Sequence, residues 1–320
     1  MPESKQEHAR APIVVIAGPT AAGKSALAIA LAERWGSEIL NADSMQVYRY
    51  LDIGTGKPSL VERARVPHHL LDVVTPDVLY DAAQYARAAR RIADERLAAG
   101  KSLFLTGGTG LYIRAFLGGL VSAGGADPEF RERLEREHAR AVENGDPERL
   151  HRRLLELDRE AAWRIHPHDV RRIIRALEIQ DREAERSSEL RSAHAFSDQP
   201  YRALYLVLDP GLEDLDKRID ARCHDMIERG LLREVRHLYT RGYGPGLRPL
   251  QAIGYRHMQA VVEGRDTLAN ALLAMQHDTR RFARRQRTWF RAVRGAHWFR
   301  PDESRSIEEI IAHFLNTSRD

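Results

Sequence analysis

"AGPTAAGKSALAIALAERWG", running from Ala17 to Gly36, sets Gly18, Gly23, Lys24 and Ser25 at the spacing of a phosphate-binding loop. The β-branched run Ile13-Val14-Val15-Ile16 precedes it, and a strong helix former from Ala26 to Trp35, stopped by Gly36, follows. Strand, glycine loop and helix in that order are the context the motif requires. Backbone N–H groups then point at phosphate oxygens and the helix N-terminus adds its dipole. Lys24 supplies a point charge and Ser25 can ligate Mg²⁺. The whole loop, Gly18, Pro19, Thr20, Ala21, Ala22, Gly23, Lys24 and Ser25, is the candidate phosphate cradle.

Two further strand ends join it. Glu38 to Ala42 reads as a strand ending on Asp43, and Ser102 to Leu105 as a strand leading into Gly107-Gly108-Thr109 after a helix from Asp81 to Ala99. Strands alternating with helices predict an α/β fold. It is a P-loop NTPase-like parallel sheet with helices on both faces and ligands at the carboxyl ends of the strands. The strand before Gly107 ends in Thr106 and lacks the acid that would complete the Mg²⁺ site of a nucleotide hydrolase. Asp43 is open to three readings: a substitute for that acid, a general base beside a held phosphate, or a cap for the segment after Ser44.

From Asp127 helix follows helix, starting at Asp127-Pro128, Asp146-Pro147 and Asp169, until a strand over Leu204 to Leu208. This predicts an all-α insertion at 120–199 in a core formed by 13–119 and 200–320, after a disordered tail over residues 1–12. A helix from Leu212 to Arg229 carries Arg218 and Arg222, and a turn rich in Gly and Pro spans Gly242 to His257. A long helix from Thr267 places Arg280, Arg284, Arg287, Arg291 and Arg294 on one stripe. Phe282, Gln286, Trp289 and Val293 form a second stripe roughly 200° away. No acid lies between Thr279 and Arg294, so the arginine face reads either as a polyanion surface or as one paired by acids from elsewhere in the chain.

Composition narrows the class. With 43% apolar and 30% charged residues the 320-residue chain is expected to be globular, and a net charge of +4 leaves charge distribution to identify any polyanion partner. The single cysteine, Cys223, excludes an intramolecular disulfide and a cysteine-based zinc module. No apolar run approaches the roughly 20 residues a membrane helix needs, so a cytoplasmic protein with no membrane association is the expectation.

The ordered set GPTAAGKS, NADSMQVYRYLDIGTGKP, PHHLLD, GGTGLY, DPEFR, RRIIRALE, QAIGYR and TRRFARRQRTWF resembles the bacterial tRNA dimethylallyltransferases over nearly the whole chain, Ile13 to Trp298. The resemblance implies a diphosphate in the loop, with Mg²⁺, and transfer of a dimethylallyl group from dimethylallyl diphosphate to N6 of adenosine 37 of tRNAs reading codons that begin with U. Carried over by position, Lys24, Ser25 and Arg218 would bind diphosphate, Asp43 would accept the N6 proton and Thr109 would position substrate. Asp43, Ser44, Met45, Gln46, Thr109, Arg131, Arg171, Arg172, Arg175, Gln251, Gly254, Tyr255 and Arg256 match segments that contact tRNA in that family. To these the helix stripe adds Arg280, Arg284 and Arg287. The adenine would leave its stack in the anticodon loop. Three positions depart from the family: Ala22 in place of Ser or Thr, Gly56 in place of Ala, and a Ser-Ser stretch in place of a Thr-Gly pair at the insertion's end, expected to be a linker. None is expected to touch the chemistry. A monomer is the expected state. A nucleotide kinase or adenylate-modifying relative and a non-catalytic RNA-binding module remain as alternatives.

Overall fold

The computed structural model describes residues 11–120, 127–183, 187–189 and 198–317. Among them the strands are β1 (Ala11–Ala17), β2 (Glu38–Asn41), β3 (His68–His69), β4 (Leu103–Gly107), β5 (Tyr201–Leu208) and β6 (His297–Phe299). They form one sheet in the order β3-β2-β4-β1-β5-β6, with every pair parallel. The helices are α1 (Lys24–Trp35), α2 (Leu60–Arg65), α3 (Ala82–Ala98), α4 (Gly110–Gly118), α5 (Pro128–Glu143), α6 (Arg149–Leu157), α7 (Arg159–Arg164) and α8 (Val170–Glu183). After β5 come α9 (Leu212–Glu228), α10 (Leu231–Thr240), α11 (Tyr255–Val262), α12 (Leu268–Arg291) and α13 (Ser304–Asn316). None of these is long and apolar enough to cross a membrane.

The central strands are buried on both faces, as parallel strands must be when helices cover each side. On one face Val14, Ile16, Phe104 and Leu206 pack against Ile29 and Leu31 of α1 and Ile307 and Ile311 of α13. On the other, Val15, Leu103 and Leu105 share a core with Tyr85 of α3, Ile219 of α9 and Phe290 of α12. Local chemistry sets the helix starts. Asp81 caps α3, its carboxylate accepting from Ala83 N and Gln84 N, while Gln84 answers the Asp81 amide. Gly23 at φ 93° lets α1 begin at Lys24, two residues before the apolar run that signalled it.

The described residues fall in two compact units, one carrying the chain to Leu117 and from Gln199 onward, the other spanning Gly118–Asp198. In the second unit Glu178 is fully buried and takes Arg131 at 2.7 Å, Arg175 at 2.5 Å and the Asp127 amide at 2.6 Å. The Ser-Ser stretch expected to be a linker is not one. Ser187 and Ser188 are buried against Asp158, whose carboxylate accepts from Ser188 N at 2.9 Å and Ser188 Oγ at 2.7 Å. The tail expected over 1–12 lies outside the described residues except for Ala11 and Pro12, which open β1.

A buried lysine ties down the loop after β2. The Lys57 ammonium, wholly enclosed, donates to Tyr48 O at 2.8 Å, Asp52 at 2.6 Å and Asp72 at 2.7 Å. Asp52 and Asp72 keep solvent contact, so they rehydrate partly when the ammonium is removed. Lys57→Met should therefore cost about 1–3 kcal/mol, less than a fully buried pair, as measured by urea denaturation.

Candidate active site

Three loops meet at the carboxyl ends of β1, β2 and β4, and close backbone approach brings them together. A Cβ on Gly18, at φ 143°, would lie 2.4 Å from Leu208 O, and one on Gly107 would lie 2.2 Å from Ala42 O. Gln286 of α12 clasps two of the loops, accepting from Thr20 N at 2.8 Å and donating to Gly108 O at 2.9 Å. Ala22 N bonds Pro19 O at 3.3 Å, and the first helical bond runs from Leu27 N to Gly23 O. The amides directed at an anion are thus those of the first turn of α1, from Lys24 on.

A cavity of about 520 Å³ opens over that turn, lined among others by Thr20, Lys24, Ser25, Gln46, Arg218 and Arg222. A second, of about 450 Å³, is lined by Ser44, Met45, Thr109, Gln251, Gly254, Tyr255 and Arg256, and by Arg281 and Arg285. Thr20, Asp43, Thr55, Arg222 and Phe282 line both. Asp43 therefore stands where a phosphate-lined space meets a second space. Its Oδ1 caps the following turn, accepting from Met45 N at 2.8 Å and Gln46 N at 3.4 Å, while no hydrogen bond from the described residues reaches Oδ2. The cap and a chemical role are compatible because they use different oxygens. Thr109 fixes the turn: its Oγ1 accepts from Ser44 N at 3.0 Å and its amide donates to Ala42 O at 3.2 Å.

The cations are buried against their preference. Burial pushes the Lys24 ammonium down from 10.5 to about 8, against the pull of the Asp43 charge and helped by Arg222. Its Nζ donates to Pro19 O at 2.7 Å. Arg222 is likewise held below its usual range by burial, with Asp43 opposing. Arg222 carries no signal in the sequence beyond its spacing from Arg218, yet it lines both cavities. It reaches them because position 56 is glycine: a Cβ on Gly56, at φ 60°, would lie 2.0 Å from Arg222 Nη2. The expectation that this departure from the family lies away from the site is corrected. Glu234, in the first turn of α10, also went unsignalled. Its carboxylate accepts from Ile53 N at 2.8 Å, from Asp52 N and Gly54 N at 3.2 Å, and from the Tyr255 hydroxyl at 2.6 Å, holding the Asp52–Gly54 loop.

Three of the five arginines of the α12 stripe are paired by acids elsewhere in the chain, while Arg291 and Arg294 are exposed. Arg280 pairs with Asp220, Arg284 with Asp216 at 2.8 Å and Arg287 with Asp209 at 2.7 Å. Phe282 and Trp289 do not lie on the packed side: each is 38% exposed, while Met275, Thr279, Ala283, Gln286 and Phe290 are buried. The arginines turned toward the second cavity are Arg281 and Arg285, the latter with its guanidinium 5.8 Å from the centre of the Phe282 ring. In the Gly118–Asp198 unit Arg131 and Arg175 converge on Glu178, and Arg172 pairs with Asp169 at 3.2 Å. Arg171 lies exposed on the same helix, α8.

A phosphate loop on a parallel α/β sheet, opening onto a carboxylate at the next strand end, defines a phosphate-loop protein with an acid beside its anion site. The chain belongs to the IPP transferase family, whose model matches residues 46–293. It is 46% identical over 95% of its length to a tRNA dimethylallyltransferase of Desulfatibacillum aliphaticivorans, covering 98% of that protein. It is 44% identical over 97% of its length to a tRNA dimethylallyltransferase of Geobacter sulfurreducens, covering 99% of that one. Among solved structures, a tRNA isopentenylpyrophosphate transferase from Bacillus halodurans matches at TM-score 0.70 and 35% identity, over 96% of this chain and 98% of that one. A eukaryotic dimethylallyltransferase, solved acting on tRNA, matches at TM-score 0.81 and 27% identity, over 96% of this chain and 80% of that one.

The lowered Lys24 value sets a pH dependence. Between about 8 and 10.5 the unfolded chain holds a proton on Lys24 that the folded chain has released, so stability contributed through this group rises with pH across that window. The melting temperature of the wild type relative to Lys24→Met is expected to climb from pH 8 to 10.5; a flat difference would show Lys24 to be solvated normally.

Proposed function

We propose that the chain transfers a dimethylallyl group from dimethylallyl diphosphate to N6 of adenosine 37, beside the anticodon of tRNAs reading codons that begin with U, and releases diphosphate. The observation that carries this reading is the position of Asp43, between a cavity lined by the phosphate loop and one lined by Thr109, Arg256 and Arg285. The first turn of α1, Lys24, Ser25, Arg218 and Arg222 hold the diphosphate, and the adenine enters from the second cavity. The N6 lone pair forms a bond to C1 of the dimethylallyl group as the C1–O bond breaks. Its electron pair leaves with diphosphate, and the N6 proton goes to Oδ2 of Asp43.

The oxygen chemistry present suits Mg²⁺: the Ser25 hydroxyl opens the helix in the cavity, and no cluster of three His, Cys, Asp or Glu among the described residues offers a metal cage of its own. Ser25 would hold the ion, which would supply positive charge at the leaving diphosphate. The reading also takes the protein to be a cytoplasmic monomer. Assay of label transfer from dimethylallyl diphosphate to unmodified tRNA tests it directly. ATP turnover without transfer would assign the loop to a nucleotide, and tRNA binding with neither activity would leave an RNA-binding module.

Two outcomes separate the roles. Asp43→Asn keeps an oxygen for the Met45 and Gln46 amides but takes no proton, so melting temperature and both affinities should hold while single-turnover rate falls roughly 10²- to 10⁴-fold. Charge reversal at Arg281 and Arg285 should weaken tRNA binding and flatten the plot of log affinity against log salt by about 1 to 2. Reversal at Arg284, which is committed to Asp216, should instead lower the melting temperature.

A further inference from the structure

Thr106 closes β4 in the cavity that holds Lys24, Ser25 and Arg218. Its backbone is committed to the ladder, paired with Ile16 and Asn41, and its carbonyl accepts from Ala42 N at 2.7 Å. Its side chain is not committed: the residue is 7% exposed, and Oγ1 has no hydrogen-bond partner among the described residues. Strand alternation sets it on the same face as Phe104, which packs beneath α1, so it projects on the side of the sheet where α1 begins. Valine would fill the same space without leaving a buried hydroxyl unmade, so packing alone does not account for threonine here. A nucleotide hydrolase would carry an acid at this strand end to hold Mg²⁺. A neutral hydroxyl does the opposite, offering a proton to an anion.

We infer that Thr106 is a diphosphate-binding group, its hydroxyl donating to an oxygen of the anion held by the first turn of α1. The assignment rests on the reading of the loop as a diphosphate site. It gives the anion a donor from the sheet opposite those from the helix, and so fixes its rotation as well as its position. Because the donor is neutral, it adds a contact without adding to the desolvation already carried by Lys24 and Arg222.

The test is calorimetric titration of inorganic diphosphate into the full-length wild type, Thr106→Val and Thr106→Ser, with and without Mg²⁺, alongside melting of each ligand-free protein. Thr106→Val is expected to bind about tenfold more weakly in both series, the loss of one hydrogen bond to a charged acceptor, while Thr106→Ser binds as the wild type does. Ligand-free Thr106→Val should melt at or above the wild-type temperature, because it loses an unpaired hydroxyl. Wild-type affinity in Thr106→Val overturns the assignment. So does a loss confined to the Mg²⁺ series, which would place the hydroxyl on a metal-bound water, and so does a lowered melting temperature, which would give it a partner within the fold. Failure of the wild type itself to bind diphosphate would overturn the reading of the loop as well, and is distinguished by appearing in all three proteins.

Discussion

The site depends on two glycine loops lying side by side at the ends of adjacent strands, and the amide of Gln286 holds them there. It accepts from the phosphate loop with its oxygen and donates to the Gly107-Gly108-Thr109 loop with its nitrogen, so a shift of α12 along its axis would break both bonds. The arginine stripe acquires its meaning from this. Arg280, Arg284 and Arg287 lie on successive turns of α12 and reach Asp220, Asp216 and Asp209. Of these pairs Arg287–Asp209 is the most buried, at 12% and 13% side-chain exposure, and it sits one residue from Gln286. Charges that could have met an outside polyanion instead set the register of the helix that carries the clasp. On the neighbouring face Arg281, Arg285 and the exposed ring of Phe282 line the second cavity.

Electrostatics at the crevice follow from crowding three cations around Asp43 and Asp225. Lys24 and Arg222 are both destabilised by burial and both drawn back by Asp43, and Arg218 lines the same space. Two carboxylates, Asp43 with one oxygen capping a turn and Asp225 shared with Arg229, are a poor counter-charge for three cations. An anion carrying several charges removes that imbalance. The strain of burying the cations in the ligand-free protein thus becomes affinity for a polyanionic group over a neutral one.

What the sequence made legible was local. The strand, loop and helix of the phosphate cradle, the helix beginning at Asp81, the parallel sheet and the position of Asp43 all follow from spacing within about 30 residues. Periodicity located α12 and its arginines but not their partners, which lie 60 to 78 residues earlier in the chain. A stretch without acids looks unpaired until the fold brings Asp209 and the acids of α9 against it. The same distance hid Gln286 behind a stripe of aromatic neighbours, and Glu234 inside an ordinary amphipathic helix. The short β3 and β6 were missed because two or three residues carry no period to read.

Gly56 shows how a backbone choice shapes the cavity it lines. At φ 60° a side chain is already disfavoured there, and the space a Cβ would need is filled by the Arg222 guanidinium, which donates to Thr55 O at 3.3 Å. Adding that one carbon would have to move either the Gln46-anchored loop, whose Thr55 and Gly56 carbonyls accept from Gln46 Nε2, or the arginine. The arginine is the side chain and the loop is backbone held at several points, including Glu234 and Lys57 on its flanks, so the arginine would yield. In this chain the second cation of the crevice therefore owes its reach between the two cavities to the absence of a methyl group.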